Sequence, residues 1–300
     1  MADGLIDEQL RTHLGLARRP RWHPYLMGVV NATPDSFSDL PGEKSVGDRV
    51  RRADELIAAG ADIIDIGGES GVTNKPPLTA AEEIARVVPV VEAVAALEGA
   101  VVSVDTYKPA VARAALAAGA RIVNDVSGLA DEELAEAAAE SGAALVVMHT
   151  RAAPKQKDFP EYADVVADVC SFLADRVELA IARGVPAEHV IVDPGPDFAK
   201  TPAETVAVMR GLDRVAEIGR PILLAVGRKD FIGALTGRGP REREAGTLAA
   251  LAAGTESGAA FARVHDVAAA VDFLTVRAAL TGELVVDPQL RLPGALRRVD

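Results

Sequence analysis

Asn31, Asp65, Asp105, Asn124, His149, Asp193, Lys229 and Arg263 share one local setting: each lies in or just past a short apolar run. YLMGVV (25–30) runs into Asn31, DIIDIGGE (62–69) carries Asp65 and Glu69, VVSV (101–104) meets Asp105, and RIV (121–123) meets Asn124 and Asp125. LVVM (145–148) precedes His149, VIV (190–192) precedes Asp193, ILLAV (222–226) leads to Arg228 and Lys229, and FARV (261–264) holds Arg263 and leads to His265. A carboxylate such as Asp193 accepts two parallel N–H bonds, which suits a guanidine-like or amide edge. An Asn such as Asn124 donates and accepts at once, which suits a heterocycle. GRKDFIG (227–233) places adjacent cations before a helix-like segment, a combination that binds phosphate or carboxylate. Asn31, Arg263 and His265 around one opening could hold a diphosphate, together with Mg²⁺.

Each of these residues has a plainer use. Asp193, Asp105 with Thr106, and Asn124 with Asp125 could cap the following helices. Pro194 and Gly195 directly after Asp193 make a tight turn instead, which disfavours capping there. Arg263 could pair with Asp266 or with a barrel-closing Asp. His149 has no HxH or HExxH spacing and the other histidines are scattered, which disfavours zinc. The chain carries no GxSxG, no Walker loop and no GxGxxG after the first strand.

A chain that repeatedly places such residues at the same point of a repeating unit is arranging one site. In a (β/α)8 barrel the site is built at the C-terminal ends of the strands. AAGAD (58–62), AAGAR (117–121) and two copies of ESGAA each close a helical stretch with glycine before the next apolar run. The expected fold is therefore α/β, a single (β/α)8 TIM barrel over 25–282, with extensions 1–24 and 283–300 covering its ends. Strands are expected near 25–30, 62–66, 101–105, 121–124, 144–148, 190–193, 222–226 and 261–264. Helices are expected near 46–59, 79–97, 108–118, 131–140, 161–183, 202–217, 241–257 and 266–281. Long loops at 31–45, 67–78 and 149–160 are candidate lids.

The 300 residues suit one such barrel. Lys and Arg number 32 against 44 Asp and Glu, and the net charge of −12 disfavours a nucleic-acid partner. No apolar run approaches the roughly 20 residues of a membrane span. Cys170 is the single cysteine, so no intrachain disulfide forms and a cytoplasmic location is expected.

MGVVNATPDSFSD (27–39), DIIDIGGES (62–70), VSVDT (102–106), IVNDVSG (122–128), VVMH (146–149), DPGPDFAKT (193–201), GRKDFIG (227–233) and RVHDV (263–267) together resemble the dihydropteroate synthase family, in the family's own order. The resemblance implies condensation of 6-hydroxymethyl-7,8-dihydropterin diphosphate with p-aminobenzoate, with release of pyrophosphate. It implies pterin contacts from Asp105, Asn124, Met148, Asp193 and Lys229. It implies a diphosphate seat at Asn31, Arg263 and His265, with Mg²⁺ on Asn31. Asp105, Lys229, Arg263 and Asp35 would be the catalytic group, and loop 31–45 with Phe37 and Ser38 would close over the site. The family also implies a homodimer paired through its last helices.

The departures fall on the acceptor side. ESGVTNKP stands where the family reads ESTRPG, so Gly71 and Val72 replace Thr and Arg, with Lys75 as a possible substitute cation. Gly227 replaces Ser before the Arg-Lys pair, and Asp230 follows Lys229 where the p-aminobenzoate carboxylate is normally received. Asp230 at that helix start is expected to repel the acceptor, unless it turns outward to pair with Arg228 or Arg238. DPGPDFAK replaces DPGxGFGK. Two other readings stay open: a pterin-binding paralogue with a different acceptor or none, and the pterin-binding module of a corrinoid methyltransferase. The Arg228–Lys229 and Arg263–His265 groups disfavour the module.

Overall fold

The β-branched runs form eight parallel strands: β1 (Tyr25–Asn31), β2 (Ile63–Gly67), β3 (Val102–Asp105), β4 (Ile122–Asp125), β5 (Ala144–Met148), β6 (Val190–Asp193), β7 (Leu223–Ala225) and β8 (Phe261–Val264). They hydrogen-bond in the order β6-β5-β4-β3-β2-β1-β8-β7, and a bridge between Val192 and Ile222 closes the ring. The computed structural model describes residues 6–33, 45–69 and 76–297. Nearly every strand residue is buried, as expected when helices cover one side and the barrel interior fills the other. The expected (β/α)8 barrel is the fold.

The helices are α1 (Glu8–Leu14), α2 (Val46–Ala58), α3 (Ala80–Ala95), α4 (Pro109–Ala117), α5 (Glu133–Ser141), α6 (Val165–Ala182), α7 (Pro202–Arg210), α8 (Leu212–Ala216), α9 (Asp230–Thr236), α10 (Glu244–Glu256) and α11 (Val267–Thr281). Reciprocal capping boxes start three of them: Ser45 with Asp48, Thr79 with Glu82, and Thr201 with Glu204. Gly142 ends α5 at φ 73°, a left-handed turn that glycine adopts cheaply, and β5 begins two residues later.

Three features differ from the sequence expectation. The helix expected over 202–217 breaks at Gly211, where a Cβ would come within 2.8 Å of the Val166 side chain on α6. A short separate helix, α9, stands between β7 and α10, started by the residues after Lys229. Residues 283–297 do not cover a barrel end: Val285, Leu290 and Leu296 are 90%, 68% and 69% exposed.

The other end is plugged. Leu10 and Leu14 of α1 are fully buried and, with Ile6 and Leu16, join Tyr25, Ile63, Ile122, Ile191, Leu223 and Phe261 in one apolar cluster. Those strand residues lie at or near the strand starts, so α1 seals the end opposite the polar mouth. Tyr25 Oη donates to the Ala17 carbonyl at 3.0 Å, and Arg19 binds Asp62 at 2.7 Å, which fixes the segment that carries α1 onto the barrel. Truncating Leu10 to alanine should therefore cost about 2–5 kcal/mol of stability. Urea unfolding should show this as a lower midpoint with an unchanged slope; a loss under 1 kcal/mol would mean that α1 does not plug the barrel.

Candidate active site

Strand register decides which polar ends meet. Asp105 pairs in register with Asn124, Gly67 with Asp105, and Met148 with Asp193. From β8, Arg263 reaches across this ring. Its Nε donates to Asp65 Oδ2 at 2.7 Å and its Nη2 to Asp105 Oδ2 at 3.0 Å. Asn124 Nδ2 donates to the same Asp65 oxygen at 3.1 Å. Four strands thus feed one network of two carboxylates, one guanidinium and one amide. Asp65 is fully buried, and its Oδ1 has no hydrogen-bond partner among the described residues.

Burial shapes the charges. It pushes Asp105 up to about 7, with Arg263 opposing, Asp65 and Glu83 adding to the rise, and Lys229 opposing. Burial works against the Arg263 cation, but Asp65 and Asp105 outweigh it and the net shift is upward. A fixed guanidinium fork is the group suited to two carboxylates at once. Either anion alone in this setting would be costly, because a buried charge stands only when paired and hydrogen-bonded.

Asp193 lies beside this network. Its Oδ1 accepts the Gly195 N–H at 2.7 Å, so the Asp-Pro-Gly turn folds back on the carboxylate and the side chain caps no helix. Gly195 has φ 64°, and a Cβ there would sit 2.1 Å from the His149 carbonyl, so only glycine fits. Met148 is buried in van der Waals reach of the same turn. Burial raises the Asp193 pKa, against the Gly195 N–H, Lys229, Lys200 and Arg263. Lys229 places its Nζ 4.4 Å from the Phe198 ring centre. Burial lowers its pKa, while Asp197, Asp193 and Asp105 support the ammonium and Arg263 opposes it.

A second layer supports that turn. Lys200 is 1% exposed and donates to the carbonyls of Gly195 at 2.9 Å and Phe198 at 3.1 Å. It also lies 2.7 Å from His149 Nδ1, and His149 Nε2 lies 2.9 Å from Asp168 Oδ2. Burial first, then Lys200, drives His149 down to about 4, so the ring is neutral. Nε2–H therefore donates to Asp168 and Nδ1 accepts from Lys200. Both ring nitrogens are engaged within the protein. Lys200 itself is pulled to about 7 by burial, against the pull of Asp193.

His265 follows Arg263 at the rim. Burial first, then the cations Arg263, Arg228, Lys229 and Arg52, drive it to about 3, so it is neutral in the free protein. Its buried Nδ1 has no hydrogen-bond partner among the described residues. A Cβ on Gly227 would lie 2.6 Å from that nitrogen, so glycine at 227 goes with this ring placement. The Asn31 carbonyl accepts from Arg49 Nε at 2.9 Å, which fixes the end of β1.

Asp230 corrects the sequence reading. Its side chain is 71% exposed and pairs with Arg243 at 2.8 Å, neither facing the site nor meeting Arg228 or Arg238. The anion on the first amides of α9 is instead Asp197, which accepts from the Asp230 and Phe231 N–H groups, the latter at 3.1 Å. A carboxylate at that helix start was the correct physical expectation, but it comes from the β6–α7 loop. Asp125 belongs to the turn after β4, where it accepts from Ser127 N–H at 2.7 Å. Thr106, not Asp105, turns to the backbone ahead of α4, accepting from Lys108 N–H at 3.3 Å. Glu69 is held by Tyr107 at 2.9 Å and by Lys108. Asp35, Phe37, Ser38 and Lys75 lie outside the described residues, as do Gly71 and Val72.

Asp65, Asp197, Phe198 and Lys200 had no assigned role from sequence. Asp65 carried the same strand-end signal as Asp105. The other three carried only the altered DPGPDFAK pattern.

The model for the family described as pterin binding enzyme matches residues 27–265. A dihydropteroate synthase of Streptococcus pyogenes is 42% identical over 254 residues, which cover 84% of this chain and 93% of the relative. The chain belongs to the dihydropteroate synthase family of pterin-binding enzymes. Among solved members, the Xanthomonas albilineans dihydropteroate synthase with 4-aminobenzoic acid aligns with a TM-score of 0.81 at 42% identity, over 86% of this chain and 93% of that one. The same organism's enzyme in complex with 7,8-dihydropteroate aligns at 0.78 and 41% identity, over 88% and 95%. The family is one of transferases, and the barrel is its common frame.

Replacing Arg263 with methionine leaves Asp65 and Asp105 facing each other without a cation. Breaking such a pair costs about 3–5 kcal/mol. The raised Asp105 pKa gives the loss a pH dependence. In the wild type the pairing is complete above about 7 and fades below it as Asp105 takes up a proton; without Arg263, which opposes the rise, Asp105 holds its proton to still higher pH, so the loss grows as pH rises through 7. Denaturant unfolding of Arg263→Met should show a larger loss at pH 8 than at pH 5. An equal loss at both would mean that the two carboxylates do not share this cation.

Proposed function

We propose that this chain joins 6-hydroxymethyl-7,8-dihydropterin diphosphate to p-aminobenzoate, forming dihydropteroate and pyrophosphate. One observation carries the reading: the Arg263–Asp65–Asp105–Asn124 network and Asp193 meet at one barrel mouth, with Lys229 beside them. The relatives solved with 4-aminobenzoic acid and with 7,8-dihydropteroate support the same pair of substrate and product.

The roles follow from the chemistry of each group. Asp193 accepts from the pterin amino group and N3–H, Asn124 and Lys229 meet the ring's polar edge, and Met148 packs on its face. Asn31, Arg263 and His265 receive the diphosphate. An arriving anion favours the charged form of a neutral imidazole, so His265 gains proton affinity on binding. The bond between the pterin methylene carbon and the diphosphate oxygen breaks first, and the electron pair leaves with pyrophosphate. Asp105, as the carboxylate, stabilises the developing cation. The acceptor amine then forms the new C–N bond and loses one proton.

Mg²⁺ belongs to this proposal through the Asn31 amide oxygen, a hard neutral donor suited to an ion that keeps most of its ligands as phosphate oxygens and water. When bound it would neutralise charge on the leaving group. Asp35 remains a proposed catalytic residue, and Phe37, Ser38 and Lys75 remain proposed parts of the acceptor side. The outward turn of Asp230 removes the main objection to p-aminobenzoate as the acceptor, and so weakens the alternative of a paralogue with another acceptor.

A homodimer and a cytoplasmic location complete the proposal. Val276 and Leu280 on α11 are 58% and 83% exposed, an i,i+4 apolar pair that supports pairing through the last helices. The single cysteine fits a reducing compartment. Among the described residues no helix is long and apolar enough to cross a membrane.

The test is release of pyrophosphate from the pterin diphosphate, with and without p-aminobenzoate. Turnover should depend on the acceptor and yield dihydropteroate. In the same assay Asp105→Asn, which removes that carboxylate's charge with little change of shape, should lower kcat by roughly 10²–10³. Absence of acceptor-dependent release from the wild type, with pterin still bound, would refute the synthase reading.

A further inference from the structure

Two residues in the β6–α7 loop hold left-handed backbone without being glycine: Asp197 at φ 67° and Ala199 at φ 51°. Both stand where the family pattern DPGxGFGK carries glycine, which would adopt such angles freely. A non-glycine residue held there persists when its surroundings over-determine it, and such residues gather at functional sites.

The surroundings of Asp197 are specific. Its carboxylate accepts from the Phe231 N–H at 3.1 and 3.2 Å and from the Asp230 N–H. The Thr205 hydroxyl lies 3.3 Å from Oδ1 and accepts the Asp197 N–H at 3.1 Å. One side chain therefore ties the loop after β6 to the segment after β7. The residue next to each end of the tie belongs to the site. Phe198 follows Asp197, Lys229 precedes Asp230, and the Lys229 ammonium sits 4.4 Å from the Phe198 ring centre. A glycine at 197 would leave the backbone path intact but could not make the tie.

We propose that Asp197 is a positioning residue. By bridging the two loops, its carboxylate holds Phe198 and Lys229 as one unit beside the pterin seat. The consequence for catalysis rests on the synthase reading; the consequence for Lys229 does not. The charged groups that face Lys229 are Asp197, Asp193 and Asp105 as anions, and Arg263 and Lys200 as cations. Asp197 heads the anions. Removing it leaves two carboxylates against two cations and the cost of burial, so the ammonium becomes easier to deprotonate.

Two variants separate charge from geometry. Asp197→Asn keeps the size, one acceptor for the amides and a tolerance of left-handed backbone, but loses the charge. Asp197→Gly relaxes the backbone and loses the tie. The direct readout is the titration of Lys229, followed by NMR on protein with ¹³C-labelled lysine side chains and assigned by comparison with Lys229→Met. The midpoint should fall by about one unit in both variants. In steady-state assay, the acceptor KM should rise on the order of ten- to hundredfold in Asp197→Gly, less in Asp197→Asn, with pterin affinity by calorimetry nearly unchanged. A Lys229 midpoint that stays put in both variants overturns the proposal, as does an acceptor KM in active Asp197→Gly equal to the wild type. If the wild type releases no pyrophosphate, the synthase reading fails by itself, and the Lys229 titration still decides the role of Asp197.

Discussion

Asp65 and Asp105 reach the same barrel mouth, and the Arg263 guanidinium lies between them at 2.7 and 3.0 Å. Without that cation, the fully buried Asp65 and the largely buried Asp105 would have to share one space, and at least one would take a proton. With it, the negative charge needed at the mouth is held ready and fixed. The same guanidinium is among the groups proposed to receive the diphosphate. A single side chain thus ties the stability of the mouth to its chemistry. This coupling also explains the state of the flanking groups: positive charge from Arg263 helps hold His265 neutral and opposes protonation of Lys229.

The barrel makes this arrangement possible. Strand ends in register bring Asp105 against Asn124 and Met148 against Asp193, with no adjustment by mobile loops. The opposite end is closed by apolar side chains of α1, so the polar cluster does not open a channel through the barrel. Behind the mouth, the buried Lys200 pins the turn that carries Asp193 and Phe198, and the neutral His149 relays that contact to Asp168. The strand ends carry Asp105, Asn124 and Asp193, while the loops joined by Asp197 carry Phe198 and Lys229. That division matches where the sequence departs from its relatives, away from the strand ends.

The strands and the strand-end residues were legible because each apolar run is short, β-branched and followed by a polar residue, a pattern repeated eight times. Asp105, Asn124, Asp193, Lys229 and Arg263 could be read as one set for that reason. A barrel-closing Asp was one expected partner of Arg263, but which Asp could not be read, because Asp65 lies 198 residues away. Lys200 was hidden for a different reason: a lysine in a loop is ordinarily solvated, and only the turn folding over it makes it buried. Asp230 was misread through a correct rule applied to the nearest carboxylate. The amides at the head of α9 do attract an anion, but Asp197, 33 residues earlier, reaches them first, and Asp230 is left to pair with Arg243. At Gly211, where the 202–217 helix splits, a Cβ would crowd the Val166 side chain, a neighbour outside local sequence.

The most direct test of the account is a crystal structure of the protein with the pterin diphosphate bound. The ring is expected inside the barrel mouth, its donors on Asp193 and its polar edge on Asn124, with the diphosphate against Arg263 and His265. An open groove lined by Pro77, Leu78, Tyr107, Pro109, Ala130 and Pro154 offers a different seat beside the loops after β2 to β5. A pterin bound in that groove, with the Arg263–Asp65–Asp105 network untouched, would contradict the assignment of the barrel mouth as the active site.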